Sequence, residues 1–518
     1  SLYNLKVTTV NRVEDGVIKS IDIEHVQVGD ILLIKAGERF PVDGIVLEGT
    51  STVDESMLSG EAIPVEKHEG DALRAGTLNQ NGTIQMSAER LGSETVLGQI
   101  IKLVSEAMGS KAPAQHLADK IAAIFVPIVL VLAVITFSVW FFIVPDTSPA
   151  VAFVNTFNVL IIACPCALGL ATPTAIMVGI GKAAARGILI KNAVALEKAK
   201  KLKKLFLDKT GTISKGQLEV TESNFYFADE ESLELLSILT GMESSSSHPI
   251  AQAIVAHLNA NYNLFPFMMK KVETLPGIGL KAEINDIGYT VSGFTKPVLK
   301  TLPKGQANDL KELQNGGLSL VCFWREDQLL ATFGLRDNIK ADTEKTIQGL
   351  EHKGIEIEIL SGDHEAAVAA VAYEAGIVRY HSGLLPKDKA MIVSEAKQSM
   401  VVGFAGDGIN DAPALAVADL SIAMSTGTDI AMESADVTLM SGDLSKIKTL
   451  IEISRKTVKT MHQNLFWAFI YNLVAIPIAA GILIPINGFT LNPMIAGAAM
   501  AFSSLSVVLN SLRLKATK

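Results

Sequence analysis

The sequence predicts a multidomain α/β protein that also has a small all-β domain and a helical membrane part. Four stretches contain no Asp, Glu, Lys, Arg or His, and each has the roughly 20 residues that a helix needs to cross a bilayer. They separate two soluble blocks, residues 1–119 and 182–460, of which the first is rich in short strands and the second alternates strands with helices. Apolar residues make up 49% of the chain and charged residues 19%, which excludes a disordered protein and argues against a wholly soluble one.

The four apolar stretches predict two transmembrane hairpins. They run from about Ile121 to Val144, Val151 to Gly181, Asn464 to Pro485 and Leu491 to Leu512, with a short link inside each pair. Lysines and arginines follow the first hairpin and flank the second, so the positive-inside rule places these ends, and both soluble blocks, in the cytoplasm. Two buried hairpins of a soluble protein are the alternative, which the length of the uncharged runs disfavours.

The first soluble block predicts a small all-β domain. Its β-like runs, such as Ile31–Ile34, Gly44–Leu47 and Thr83–Met86, are separated by Gly, Asp and Pro turns. One of its loops contains Ser59-Gly60-Glu61. Taken alone, this tripeptide is typical of a solvated turn, so spacing gives it no chemical role.

Carboxylates follow three strands of the second soluble block. The strands end in Asp208-Lys209-Thr210-Gly211-Thr212, in Ser361-Gly362-Asp363 and in the run from Gly406 through Asp407 to Asp411. Helical patterns between them indicate a parallel sheet, in which all three ends meet at one edge. Clustered carboxylates repel each other and need a cation, and Mg²⁺ prefers oxygen ligands and usually accompanies phosphate. The pattern therefore predicts phosphoryl transfer.

Asp208 is the candidate nucleophile for that chemistry. A carboxylate attacks a phosphoryl group when a metal and a nearby cation neutralise the incoming charge. Thr210 and Thr212 can hydrogen-bond phosphate oxygens. Either Lys387 or Lys389 can supply the cation, and spacing does not choose between them.

An insertion, residues 219–333, is the candidate lid that brings the phosphate donor. It contains Glu243, His248-Pro249 and Gly277-Ile278-Gly279. Each motif alone is weak, because a His-Pro pair also starts an ordinary helix and a Gly-x-Gly pair also forms a turn.

Cys164-Pro165-Cys166 lies in the middle of the second apolar stretch and predicts a metal site. Proline bends or unwinds the helix, which lets both sulfurs face one ion. Polar residues recur in the second hairpin, where helix–helix hydrogen bonding is the alternative explanation, above all for Asn464 and Asn510. Thiolates and a thioether suit Cu(I), whereas a divalent ion would need a balancing charge that the four stretches lack.

Together, and in this order, these motifs resemble the heavy-metal-transporting P-type ATPases. The similarity covers essentially the whole chain and is greatest to the Cu(I) exporters, whose helix signatures match at Asn464, Tyr471-Asn472, Pro477, Met500, Ser503-Ser504 and Asn510. Exporters of zinc, cadmium or lead would carry an intramembrane Lys and Asp in the second hairpin, and both are missing. Export of such a divalent metal, a membrane-anchored phosphatase of the same superfamily and a non-catalytic metal-binding protein remain alternatives.

The resemblance implies a domain order. It comprises an actuator domain with its linker (1–119), a transmembrane hairpin with Cys-Pro-Cys (120–181), a Rossmann-like phosphorylation domain of the haloacid-dehalogenase type (182–218 and 334–460), an inserted α+β nucleotide-binding domain (219–333) and a second hairpin with the C-terminus (461–518). Helices that usually precede the actuator domain are missing, which leads us to expect an N-terminally truncated chain.

The resemblance also implies roles for residues. Asp208 forms the aspartyl phosphate, Lys389 and Ser361 contact the phosphoryl group, and Glu61 positions the hydrolytic water. Mg²⁺ is held by Asp208, Thr210, Asp407 and Asp411, and ATP by Glu243, His248, Gly277, Gly279 and Gly293. Cu(I) binds Cys164 and Cys166, with Tyr471, Asn472, Met500 and Ser504 along its path.

The implied function is ATP-driven Cu(I) export by a monomer that is integral to a bacterial plasma membrane, with its soluble domains in the cytoplasm. Membrane lipid and a small copper chaperone are the expected partners, and the net charge of −9 argues against nucleic acid. Ser247 and Phe294 depart from the usual family residues, which affects only the details of nucleotide contact.

Overall fold

The computed structural model describes residues 9–14, 17–55, 64–109, 113–145, 148–164, 166–228, 231–246, 248–262, 264–267, 269, 272–275, 278–294, 302–407, 411–424 and 435–516. The chain divides into two compact units. The first comprises Ser1–Lys201, Ser425–Ser441 and Lys446–Lys518, and the second comprises Leu202–Met424 and Gly442–Ser445.

The N-terminal part of the first unit is all β, as predicted. Its strands are β1 (Thr9–Glu14), β2 (Val17–Asp22), β3 (Ile31–Ile34), β4 (Asp43–Glu48), β5 (Ser51–Asp54), β6 (Val65–Lys67), β7 (Ala72–Leu73), β8 (Leu78–Asn79) and β9 (Ile84–Arg90). They form one sheet in the order β2-β1-β3-β9-β4-β7 and another in the order β6-β5-β8. Alternate residues of β9 point inward, so that Ile84, Met86 and Ala88 pack with Leu32 and Phe40 in one apolar core.

Helices follow this β domain. They are α1 (Val96–Gly109), α2 (Pro113–Ser138), which continues as a π-helical turn (Val139–Ile143), α3 (Pro149–Ile162) and α4 (Cys166–Ala184), followed by β10 (Ile188–Ile190) and α5 (Ala193–Lys201). The buried Asp43 accepts hydrogen bonds from the backbone N–H groups of Ala75 and Val96, at 2.7 and 2.8 Å, and so ties the start of α1 to the sheet. Burial raises the pKa of Asp43.

The second unit contains two sheets. Its elements are β11 (Lys204–Asp208), an irregular turn (Lys209–Ile213), β12 (Ser214–Phe225), α6 (Ser232–Glu243), α7 (Pro249–Asn261), β13 (Val272–Leu275), β14 (Gly279–Ile284), β15 (Ile287–Gly293), α8 (Lys304–Asn315), β16 (Ser319–Arg325), β17 (Gln328–Ile339), α9 (Thr343–Glu351), β18 (Glu356–Leu360), α10 (Glu365–Ala375), β19 (Arg379–His381), α11 (Pro386–Lys397), β20 (Val402–Gly406), α12 (Ala412–Val417) and β21 (Leu420–Met424).

The first of these sheets is parallel, which confirms the prediction. Its strands lie in the order β21-β20-β11-β18-β19, and every one of these pairs is parallel. Strand β11 lies at the centre, and its apolar residues Leu205, Phe206 and Leu207 are fully buried because helices cover the sheet. The carboxyl ends of β18, β11 and β20 therefore meet at one edge.

The other sheet is antiparallel, in the order β12-β17-β16-β15-β14-β13. Helices α6 and α7 pack on it through an apolar core that includes Leu239, Ile254, Phe323 and Phe333. The predicted limits of the insertion fall inside its longest ladder, where Glu219 pairs with Arg336 and Phe333 pairs with Ser223.

The C-terminal elements return to the first unit. They are β22 (Val437–Leu439), which pairs with β10, then α13 (Ser445–Ala479), α14 (Ile484–Asn487) and α15 (Pro493–Ala516). Among the described residues, Asp119–Ile143, Pro149–Ala184 and Pro493–Ala516 are long and apolar enough to cross a membrane. The predicted stretch from Asn464 to Pro485 is not among these three and is not one helix. Helix α13 ends at Ala479, just before Gly481 takes a φ of +89°.

Candidate active site

Three charged side chains meet at the carboxyl edge of the parallel sheet. Asp208 ends β11 and Asp411 precedes α12, and both are buried. The Nζ of Lys389, from α11, donates to Oδ1 of Asp208 at 2.5 Å and to Oδ1 of Asp411 at 2.8 Å. Spacing alone did not choose between Lys387 and Lys389 as the cation beside Asp208. The fold favours Lys389, which is 6% exposed, whereas Lys387 is exposed to solvent.

Burial dominates the electrostatics of this cluster. Burial and, next, the charge of Asp411 raise the pKa of Asp208, Lys389 lowers it without cancelling the shift, and the resulting pKa is about 6. Burial also raises the pKa of Asp411. The two carboxylates raise the pKa of Lys389 against the opposing effect of burial. The lysine therefore stays charged and holds two carboxylates that would otherwise repel each other.

Two polar atoms at this edge are buried and have no hydrogen-bond partner among the described residues. They are Oδ2 of Asp411 and Oγ1 of Thr212. An unpartnered carboxylate oxygen suits a hard cation and an unpartnered hydroxyl suits a phosphoryl oxygen, so these residues fit Mg²⁺ and phosphate. Gly406 makes the close approach possible, since a Cβ there would lie 2.4 Å from Oδ2 of Asp411. Among the described residues, no three His, Cys, Asp or Glu side chains yet form a metal-binding group.

A cavity of about 390 Å³ lies beside the antiparallel sheet. The described residues that line it include Glu243, His248, Gly279 and Gly293, four of the five predicted nucleotide contacts. A Cβ on Gly279 would lie 1.9 Å from the carbonyl oxygen of Val291, so only glycine fits at this point. The fifth predicted contact, Gly277, lies outside the described residues.

Glu243 and His248 differ in their surroundings. Glu243 ends α6 and is 2% exposed, and burial raises its pKa to about 7. His248 is exposed and caps α7, where its Nδ1 accepts a hydrogen bond from the backbone N–H of Ile250 at 3.3 Å. A buried carboxyl that is easily protonated is suited to hydrogen-bonding a nucleobase. The exposed imidazole of His248 lies at the rim of the cavity.

The helix that carries Cys-Pro-Cys is interrupted, as predicted. Helix α3 ends at Ile162 and α4 begins at Cys166, and the half-buried Cys164 lies between them. Helix α4 packs against α13 and α15 through a cluster of Ala167, Leu168, Ala171, Ala468 and Val507.

The predicted path residues lie one helical turn beyond this cluster. Asn472 follows Ala468 by four residues on α13, and Ser504 precedes Val507 by three on α15. Cys164 likewise precedes Ala167 by three. On α13 and α15 this displacement is about 5 Å away from the basic ends of the two helices, which brings Asn472 and Ser504 to a similar depth. Tyr471, Met500 and Ser504 are half-buried, and Asn472 is buried.

Comparison with known proteins identifies the family of this chain. Residues 4–105 match the P-type ATPase actuator domain, and residues 202–419 match the haloacid dehalogenase-like hydrolases. The chain is 45% identical to a probable copper-importing P-type ATPase A of Enterococcus hirae, across 99% of this chain and 69% of that protein. It is 43% identical to a copper-exporting P-type ATPase of Legionella pneumophila, across 99% of this chain and 70% of that protein.

The chain belongs to the copper-transporting P-type ATPases. It spans about two thirds of the length of these relatives. A crystal structure of a zinc-transporting PIB-type ATPase in the E2.Pi state is similar in fold, with a TM-score of 0.65 and 31% identity over 99% of this chain and 83% of that one. As a P-type ATPase, the protein is an integral membrane enzyme that hydrolyses ATP.

The remaining predicted residues of the ATPase site occupy distinct places. Ser361 is buried at the end of β18, and its Oγ accepts from the backbone N–H of Asp363 at 3.2 Å. Asp363 also forms an ion pair with Lys209. Thr210 is exposed and Asp407 is half-buried at the same edge. Glu61, with its Ser-Gly-Glu loop, lies outside the described residues.

Residues that sequence reasoning missed hold the loop after Asp208. Oδ2 of Asp337 accepts from Oγ of Ser214 at 2.5 Å, and its Oδ1 accepts from the backbone N–H of Gly216 at 2.9 Å. Lys340 donates to the carbonyl oxygens of Gly211 and Gly442, at 2.5 and 2.9 Å. Burial lowers the pKa of Lys340 to about 8, against the attraction of nearby carboxylates. No local pattern marked these two residues, because Asp337 and Lys340 are more than 100 residues along the chain from the loop that they hold.

The ATPase has a second buried polar network, in its membrane helices. Nδ2 of Asn464 donates to the carbonyl oxygen of Ala171 at 3.0 Å and to Oγ of Ser511 at 2.9 Å. Nδ2 of Asn510 donates to Oδ1 of Asn464 at 2.8 Å. These bonds join α4, α13 and α15, which confirms that Asn464 and Asn510 connect helices.

Proposed function

We propose that this chain exports Cu(I) from the cytoplasm across a bacterial plasma membrane, using an aspartyl phosphate formed on Asp208. The contact of Lys389 with both Asp208 and Asp411 carries the proposal. It holds a buried carboxylate at the sheet edge beside a cation that can neutralise an incoming phosphoryl group. The relatives bear names for both import and export. We infer outward transport, with the ATP-using domains in the cytoplasm, where the basic residues that flank the hairpins are expected.

We assign roles to the described site residues from their positions, and to Glu61 and Gly277 from the family resemblance alone. Asp208 attacks the terminal phosphoryl group, Lys389 and Ser361 balance and orient its oxygens, and the hydroxyl of Thr212 is available to a further oxygen. Asp208, Asp407, Asp411 and the carbonyl of Thr210 would hold Mg²⁺, which supplies charge neutralisation when bound. Glu243, His248, Gly277, Gly279 and Gly293 bind ATP, and Glu61 activates the water that later releases the phosphate.

Cu(I) is the favoured cargo because of the chemistry of the membrane residues. Cys164 and Cys166 are soft ligands, and Met500 offers a third sulfur. No carboxylate or imidazole occurs in the four apolar stretches to balance a divalent ion. Tyr471, Asn472 and Ser504 line the rest of the path. The proposed partners are membrane lipid, which surrounds the helices, and a small copper chaperone, which delivers the ion. The proposed active form is a monomer with the domain boundaries given above.

The test is metal-dependent turnover of the protein reconstituted in vesicles. Cu(I) should stimulate ATP hydrolysis and move to the side opposite the nucleotide, whereas Zn²⁺ should not stimulate. Cys164→Ser and Cys166→Ser should abolish the stimulation, since a hydroxyl is a poor ligand for Cu(I), yet leave phosphorylation by inorganic phosphate intact. Cys322→Ser is the matched control, because Cys322 is buried in the antiparallel sheet of the second unit. Stimulation by Zn²⁺ alone, or metal-independent phosphatase activity, would contradict the proposal.

A further inference from the structure

A basic groove of about 550 Å³ lies along α13. It is lined by Lys200, Arg455, Lys459, His462, Gln463, Phe466 and Trp467. Lys200 comes from α5 and the others from α13, so two helices of the same unit form its walls.

Charged and aromatic residues are ordered along the groove. Arg455, Lys459, His462 and Phe466 follow at spacings of four, three and four residues, which puts them on one face of the helix. The basic residues come first. Phe466 and Trp467 come next and are 59% and 61% exposed, and the large exposed side chains of α13 beyond them are apolar. Such an order, cations and then exposed aromatic rings, is typical of a helix passing from the head-group region into the acyl chains.

The basic side chains of the groove act on one another electrostatically. Burial lowers the pKa of His462, and the charge of Lys200 lowers it further against the opposing charge of Glu197. Within the described part of the chain, Lys200 and Lys459 line the groove without an ion-pair partner. Unneutralised ammonium groups converge here beside an apolar surface, which suits an anion that carries hydrocarbon.

We propose that this groove binds the phosphate-bearing head group of an anionic phospholipid, with its acyl chains against Phe466 and Trp467. Lys200, Arg455 and Lys459 attract the phosphate, and the aromatic rings fix its depth. Juxtamembrane basic residues attract anionic lipids by about fivefold in affinity for each charge. The site is independent of transport, because none of its residues belongs to the ATP, phosphate or copper sites.

The test measures quenching of tryptophan fluorescence in lipid nanodiscs, without nucleotide or metal. Brominated phosphatidylglycerol should quench the protein more strongly than brominated phosphatidylcholine at equal mole fraction, and Trp467→Phe should remove most of this difference. Arg455→Gln with Lys459→Gln should weaken the preference for phosphatidylglycerol by up to about 25-fold. Lys448→Gln with Lys456→Gln is the matched control, since it removes two charges from the same helix outside the groove and should leave the preference unchanged.

Several results would overturn the proposal. They are equal quenching by the two lipids in the unaltered protein, an equal loss in both double variants, and a preference that survives in the groove variant. Displacement of the lipid by millimolar inorganic phosphate would show instead a general anion site. Phosphorylation of each variant by ATP checks that it is folded, and a failure of copper transport would leave the lipid measurement unaffected.

Discussion

Two polar clusters of this ATPase are both buried, but their polar groups are paired in different ways. At the sheet edge, Lys389 bridges Asp208 and Asp411, so full charges are buried together. Between the membrane helices, Asn464 and Asn510 satisfy each other and Ser511 with neutral groups. Buried charges are costly and persist only when they are paired, whereas neutral amides cost less and contribute less. The charged cluster is therefore suited to chemistry and the neutral one to holding helices together.

The largest expected effect comes from removing the nucleophile. Asp208→Asn keeps the volume but loses the attacking anion, so no label from γ-labelled ATP should attach to the protein. ATP should still bind, because the cavity beside Glu243 and Gly279 is unchanged. Acid-resistant labelling of the variant at the unaltered level would assign the phosphate to another residue.

Removing the bridging cation should be the next largest effect. Lys389→Gln leaves two buried carboxylates without their partner, which should destabilise the second unit by about 3–5 kcal/mol and slow phosphorylation by about 10²–10³-fold. Denaturant unfolding and rapid-quench labelling measure the two effects. Lys387→Gln, on the same helix but exposed, is the control and should change neither. Equal behaviour of the two variants would mean that the bridge has no role in phosphorylation.

The contrast between these lysines also defines what the sequence could predict. The strands ending at Asp208, Ser361 and Asp407 were found because apolar runs followed by carboxylates have a strong local pattern. Choosing Lys389 over Lys387 needed the orientation of α11, and Asp337 holds Ser214 across more than 100 residues of chain, so neither had a local signal. The end of α13 at Ala479 was missed for a similar reason, since Gly481 lies within an apolar run and its backbone conformation is not encoded by hydropathy.

Glu243 has no ion pair among the described residues, so it tests the cost of burying a carboxylate without a charged partner. Glu243 has a pKa of about 7 in the fold against 4.5 for its ordinary value, so it is protonated in both states below pH 4.5 and costs stability increasingly from there to pH 7. Glu243→Gln should therefore stabilise α6 and α7 by about 2–3 kcal/mol at pH 8 and very little near pH 4.5. Hydrogen exchange at the two pH values measures this difference, with exposed Glu234→Gln on the same helix as control. A gain independent of pH would point to packing instead of ionisation.

The smallest effect should come from the neutral cluster. Asn464→Ala removes hydrogen bonds to Ala171, Ser511 and Asn510, and such bonds in membrane helices average about 0.6 kcal/mol each, so the expected loss is about 1–2 kcal/mol. A double-mutant cycle with Asn510→Ala isolates one of these bonds, and its coupling energy should be about 0.6 kcal/mol, read from unfolding in mixed detergent micelles. Because α4 starts at Cys166 and is joined to α13 through Asn464, the variant should also weaken Cu(I) stimulation modestly while labelling of Asp208 by inorganic phosphate persists. A coupling energy of several kcal/mol would place this network beside the Lys389 bridge in strength, and the distinction between a charged reactive cluster and a neutral structural one would no longer hold.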